Sequence, residues 1–282
     1  MIFRMVASGE FITLLEFLFP IMHEILRHLQ PGSRLLDLGC ASGSFPAGTT
    51  LAQVVRVDQS VPKGDRAGAE FVQGDSAYLP FADRTFAAVI ANHSLEHFAD
   101  LSAALAEIRR VVQPRGSLFV AVPDASTLTD RLYRWLSRGG GHLNAFTSPA
   151  ETAAMIERAT GLTHVATKTL CSSLSFLNRR NAPQPMPLRL GVLGAGYEWS
   201  LWLYVWFSRR LDRLLNTRLS VYGWAFYFGQ LWESVDTATW RNVCIRCGSG
   251  CPATRFATTS FLGIRMYRCP QCGAVNPFTA DE

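Results

Sequence analysis

The sequence predicts an α/β protein: a mostly parallel, doubly wound sheet with an aromatic-rich helical insertion and a small cysteine-rich C-terminal domain. Three observations predict it. From Pro31 to Cys171, short apolar runs alternate with segments of helical period. Residues 197–232 hold twelve aromatic side chains, and five of the 7 cysteines fall within the last 39 residues. Apolar residues make up 48% and charged residues only 17%, so a sizeable core can offset the ordering entropy and disorder is excluded. Gly 22 and Pro 14 are ordinary contents, which excludes collagen-like and low-complexity chains.

The elements follow in order. Phe11–Met22 is an apolar run interrupted by Glu16 and Pro20, with Thr13, Glu16, His23 and Arg27 at helical spacing. This predicts an amphipathic helix in an N-terminal segment 1–30 rather than an export signal, and a cytoplasmic protein. Within a core of residues 31–171, strands are expected at Ser33–Leu38, Val54–Asp58, Glu70–Gln73, Phe86–Asn92, Gly116–Val122 and Leu162–Leu170. A helix is expected over Asp100–Val112. Another runs from Ser148 to Ala159, with Ser148 as N-cap, Pro149 at its first position and Glu151 three residues after the cap. Ala182–Pro187 reads as a Pro-rich linker in an aromatic and basic helical lid or insertion, residues 172–239. Residues 240–282 form the tail domain. Leu190–Ser208 is the closest approach to a membrane span, and Glu198 interrupts it.

Charge is unevenly placed. The chain has 27 basic and 22 acidic residues, net +5. Residues 172–232 hold seven arginines against Glu198 and Asp212, which accounts for the whole excess. A basic surface points to an anionic partner: a membrane, a nucleic acid or an acidic substrate.

The strongest functional signal is Leu35–Phe45, LLDLGCASGSF. A loop between strand and helix turns sharply, and glycine supplies the positive φ and the missing Cβ that let a ligand approach the backbone. Asp58, 21 residues after Asp37, ends the next strand, where a carboxylate can accept from both hydroxyls of a ribose. The Gly-x-Gly-x-x-Gly spacing of dinucleotide sites is absent, which favours a simpler nucleoside.

Over residues 33–165 the sequence resembles the class I S-adenosylmethionine-dependent methyltransferases, a Rossmann-like family. Its first motif appears as Asp37, Gly39, Ala41 and Gly43, with alanine in place of the middle glycine. Gly74-Asp75-Ser76 with Leu79-Pro80-Phe81, and Phe86–Asn92 with Leu95-Glu96-His97, are similar to later motifs, although Ala87 replaces the usual aspartate. Val111–Gly116 is similar to the turn before strand five. The resemblance implies S-adenosylmethionine as cofactor and places its contacts at Asp37, Gly39, Cys40, Ala41, Gly43, Asp58, Gln59, Asp75, Ser76 and Asn92.

In such a reaction the chain must hold donor and acceptor collinear, and a general base is needed only for a poor nucleophile such as a hydroxyl. His97, His142 and His93 are the candidates, each with a loop hydrogen-bonding role as the structural alternative. Asn92-His93-Ser94 differs from the Asn/Asp-Pro-Pro-aromatic motif of nucleic-acid amine methylases and points away from a nucleic-acid base.

Cys244-x-x-Cys247-Gly and Cys269-x-x-Cys272-Gly, separated by 21 residues, have the spacing of a four-thiolate structural zinc site. With a hairpin expected to turn at Leu262-Gly263, the tail resembles a zinc ribbon. Cys251 is a spare thiol or a competing ligand.

The expected function is methyl transfer to a small-molecule or lipid-linked acceptor. The alternative is a non-catalytic, methyltransferase-like module docking protein or nucleic acid through ribbon and basic segment. The aromatics of Tyr197–Arg210 and Leu219–Trp232 either line an acceptor pocket or meet a bilayer interface, and the two can coexist. Peripheral attachment to anionic lipid on the inner face of the membrane is expected with them.

Overall fold

The computed structural model describes residues 23–41, 43–45, 47–61, 69–136, 141–181, 196–230 and 235–280. Phe11–Met22 and Ala182–Pro187 lie outside them. The first elements are helix α1 (His23–His28) and strands β1 (Arg34–Leu38), β2 (Gln53–Asp58), β3 (Glu70–Gln73) and β4 (Phe86–Asn92). Helix α2 (Leu101–Val111), strand β5 (Val112–Pro123), helices α3 (Leu128–Leu136) and α4 (Pro149–Thr160) and strand β6 (His164–Cys171) follow. Helix α5 (Glu198–Leu215) and strand β7 (Val221–Gly229) precede the small strands of the tail. These are β8 (Asn242–Val243), β9 (Gly250–Cys251), β10 (Thr258–Phe261), β11 (Ile264–Arg268) and β12 (Val275–Pro277).

The chain folds as two compact units. The first comprises Met1–Ala125, Gly141–Lys168 and Trp224–Thr237, and the second Ser126–Gly140, Thr169–Gly223 and Ala238–Glu282. The central sheet runs β3-β2-β1-β4-β5-β7-β6. It is Rossmann-like and mostly parallel: β2–β3, β1–β2, β1–β4 and β4–β5 all pair parallel. Bonds from Gly229 N to Thr163 O and from Ser172 N to Ser220 O show β7 running opposite to β6. The central strands are buried along nearly their whole length, so they read as continuous apolar runs rather than alternations.

Helix boundaries follow their caps. Asp100 accepts from Ala103 N and starts α2; Ser148 accepts from Glu151 N and starts α4, with Pro149 beside it and Gly161 at φ 71 ending it. In the second unit, Leu201, Val205, Leu174, Leu177 and Ile245 form a separate core. Its β10–β11 hairpin turns at Leu262-Gly263, both at positive φ. No helix among the described residues is long and apolar enough to cross a membrane.

Val221–Gly229, expected within the helical insertion, is instead a strand inside the sheet with Gly223–Phe228 buried. A strand covered on both faces loses its period of two, so an aromatic run of this kind cannot be told from a buried helix by pattern. Trp224, Phe226 and Phe228 belong to the core of the first unit. Phe226→Ala should therefore destabilise the protein by about 3–5 kcal/mol. Urea denaturation checks it; a loss below about 1 kcal/mol would return the segment to the surface.

Candidate active site

The strand order reverses between β1 and β4, and their carboxyl ends flank a crevice, the usual ligand position in such sheets. A cavity of about 330 Å³ opens there. Gly39, Ala41, Asp58, Gln59, Ser76, His93 and His97 line it, so five expected cofactor contacts and two expected bases share one space. Leu38, Val57, Ser60, Gly74, Ser94 and Phe98 complete the wall and are not among the expected contacts. Ser94 and Phe98 flank the Leu95-Glu96-His97 element, and that adjacency was the available signal.

Asp37, Cys40, Gly43, Asp75 and Asn92 are not in this wall. Asp37 is fully buried and accepts from Ser44 N (2.9 Å) and Ser44 Oγ (2.6 Å). Arg56, itself buried on β2, lies 3.7 Å from the Asp37 carboxylate and donates to Phe45 O. Gly43, at φ 114, lies flat against this guanidinium: a Cβ there would fall 2.4 Å from Arg56 Cζ. Burial raises the Asp37 pKa, opposed first by the Ser44 bonds and then by Arg56. These residues shape the loop from beneath. Burial, followed by the Asp37 and Asp58 carboxylates, pushes the Cys40 thiol up to about 12, which leaves it protonated and inert. Asp75 instead accepts from Ala77 N at 2.9 Å, and Asn92 ends β4.

Above this support, Asp58 accepts from Ala41 N and Ser60 N, each at 2.8 Å. One lone pair on each oxygen remains for a ligand. Ala41, where the resembling family has glycine, adopts φ 47, a strained value for a residue with a Cβ. At Gly39 (φ 65) a Cβ would lie 2.6 Å from Ser94 Cβ, so its substitution disturbs the protein before it reaches any ligand.

The imidazoles gather on the other side. His93 leaves β4 at φ 54, which turns its side chain into the crevice. Desolvation, then His142 and His97, push its pKa down, so it is neutral near pH 7. The His97 and His142 rings meet edge to face at 4.8 Å. His97 Nδ1 lies 3.0 Å from Gly141 O. A carbonyl only accepts, so Nδ1 carries the proton and Nε2 keeps its lone pair. Glu96 is buried beside them, and ligand atoms of Glu96, His97 and His142 lie within 4.8 Å of one another. Asn144 holds the two loops together by donating to Leu95 O and Phe98 O, both at 2.8 Å.

In the second unit, the Sγ atoms of Cys244, Cys247, Cys269 and Cys272 lie within 4.8 Å of one another. Cys244–Cys272 and Cys247–Cys269 are 3.5 and 3.7 Å apart, near the ~3.8 Å edge of a tetrahedron with 2.3 Å metal–sulfur bonds. Both knuckles have one geometry: Gly248 N donates to Cys244 O and Gly273 N to Cys269 O, with the glycines at φ 75 and 72. Arg246 N and Asn276 Nδ2 donate to Cys244 Sγ, as in the outer shell of a thiolate site. The donor set and its spacing fit zinc. The side chain of Cys251 lies outside the described residues.

Residues 36–120 match the family profile described as a methyltransferase domain. The chain is 39% identical over 98 residues to a demethylmenaquinone methyltransferase of Renibacterium salmoninarum, covering 32% of this chain and 41% of that one. It is 29% identical over 147 residues to a malonyl-[acyl-carrier protein] O-methyltransferase of Erwinia pyrifoliae, covering 49% and 55%. The chain spans about half the length of the curated relatives it matches. A Burkholderia thailandensis 1,6-didemethyltoxoflavin-N1-methyltransferase structure aligns with a TM-score of 0.45 at 17% identity, over 77% of this chain and 80% of that one.

Asp37→Ala should cost about 3–5 kcal/mol of folding stability, because it leaves Arg56 buried without its carboxylate. Denaturant titration reads this loss. Full stability with lost ligand binding would instead make Asp37 a direct contact.

Proposed function

We propose that the chain is an S-adenosylmethionine-dependent methyltransferase acting on a small-molecule or lipid-linked acceptor, with a structural zinc in the C-terminal ribbon of residues 240–282. One observation carries the reading: the glycine loop with Asp58 and the histidine pair His93 and His97 line the same cavity. S-adenosylmethionine, when bound, supplies a methyl group on a positively charged sulfur. Asp58 has the acceptor capacity for a ribose diol, the Gly39–Ala41 backbone gives close approach, and Gln59 and Ser76 extend the polar wall. These residues fit a nucleoside in a cavity within the ~300–1,000 Å³ range of small-molecule sites.

On the acceptor side, His97 Nε2 is the base. Its lone pair is fixed by the Nδ1–Gly141 bond, and Glu96 within the same cluster stabilises the imidazolium formed when it takes a hydroxyl proton. His142, packed edge to face on it, positions that ring. The basic surface of the second unit supports attachment at the face of an anionic membrane, where a lipid-linked acceptor would reside.

Calorimetry tests cofactor binding directly. Asp58→Ala should weaken S-adenosylhomocysteine binding by about 10- to 150-fold, the range for a charged hydrogen bond, with the fold retained. Absence of binding by the parent protein at millimolar cofactor would leave the alternative, a non-catalytic docking module. Metal analysis should find about one zinc per chain, and Cys269→Ser should release it and melt the tail. A metal-free preparation with an ordered tail would refute the zinc.

A further inference from the structure

We propose that the second unit carries a membrane-docking face with a pocket for a phospholipid phosphate, formed by α5 and the β10–β11 hairpin. This rests on the membrane-surface part of the reading above and assigns it to atoms. The pocket has a volume of about 190 Å³ and is lined by Arg209, Arg210, Arg213 and Arg265, with Trp206 and Phe278. No carboxylate lines it among the described residues. Arg210 stacks on Trp206 and Arg265 on Phe278, each 4.4 Å from the ring centre. Arg209, 2% exposed, donates to Pro277 O at 3.2 Å. Guanidinium planes held this way are already ordered for an oxyanion, so binding costs less side-chain entropy. The volume falls below the ~300 Å³ lower bound for drug-sized ligands and suits a single phosphate group.

What surrounds the pocket says which phosphate. At 100° per residue on α5, Trp199, Leu203, Phe207 and Leu214 fall within roughly an 80° arc that overlaps the arginine arc at Arg210. All four are more than half exposed. Across the pocket, the hairpin carries Phe261 and Leu262 at its tip. Leu262 is 86% exposed and adopts φ 48, next to Gly263 at φ 76. A two-residue turn with both φ values positive favours Asn, Asp or Gly. Leucine there strains the backbone and leaves its side chain in water, so folding gains nothing from it. A bilayer interface does: apolar tips enter the acyl boundary while arginines meet headgroup phosphates. A free phosphate would use the arginines and leave Leu262, Phe261 and the α5 stripe unexplained.

The test is co-sedimentation of the full chain with phosphatidylcholine vesicles, with and without phosphatidic acid. Binding is expected only with the anionic lipid, weakening with salt. Arg213→Ala with Arg265→Ala should weaken it about 25-fold, taking roughly fivefold per basic residue near the surface. Leu262→Asn should weaken it roughly tenfold by losing one buried apolar side chain, while the melting temperature stays level or rises. Cofactor binding should be unchanged in both variants. Wild-type binding by both variants would overturn the site and leave general membrane attachment standing. No vesicle binding by the parent protein would overturn both, without touching the methyltransferase reading. If a single-stranded oligonucleotide binds through the same arginines in place of vesicles, the face is a nucleic-acid surface and the proposal fails.

Discussion

The first unit depends on one buried ion pair. Asp37 and Arg56 stand on adjacent parallel strands, in register with each other and both buried. Such a pair needs further hydrogen bonds to offset the loss of water. Ser44 uses the carboxylate and Phe45 O uses the guanidinium, and both lie in the loop after β1. The loop therefore follows from the pair. Gly43 is glycine because Arg56 occupies the place of its side chain, and Gly39 because Ser94 does. With the loop closed from beneath, Ala41 N reaches Asp58 from above, and the crevice gains a fixed polar wall.

The opposite wall is held differently. The return loop anchors the 93–98 turn, through Asn144 and through Leu143 N and Asn144 N donating to Glu96 O. The chain thereby brings His142 to His97 across 45 residues and fixes the His97 tautomer. A base needs that fixation more than it needs a shifted pKa, because a rotating ring presents its lone pair only part of the time.

The second unit shows the same economy. Glu198 at the start of α5 holds Arg246, inside the first knuckle, in a two-point pair at 2.5 and 2.8 Å. Near the other end of the helix, Asp212 accepts from Thr217 Oγ1, Leu219 N and Ser220 N and closes the turn into β7. Ser173 Oγ and Asn178 Nδ2 donate to Cys244 O and Ile245 O. The two acids counted against the seven arginines of residues 172–232 are thus committed to structure.

By itself the sequence determined the features that depend on near neighbours in the chain. These are the parallel strands through β5, the Ser148 cap, the Leu262-Gly263 turn, the cysteine spacing and the placement of Asp58 at the end of β2. Each is a matter of period, cap or spacing over a few residues, and the physics that favours them is local. Tertiary structure decided the rest. It made Asp37 and Gly43 supports beneath the cavity, because the Arg56 they pack on is distant in sequence and carries no motif. It drew Val221–Gly229 into the sheet, because burial on both faces erases the alternation that would have marked a strand. And it placed the hairpin tip beside the arginines of α5, a neighbourhood about 50 residues wide in sequence that no local pattern encodes.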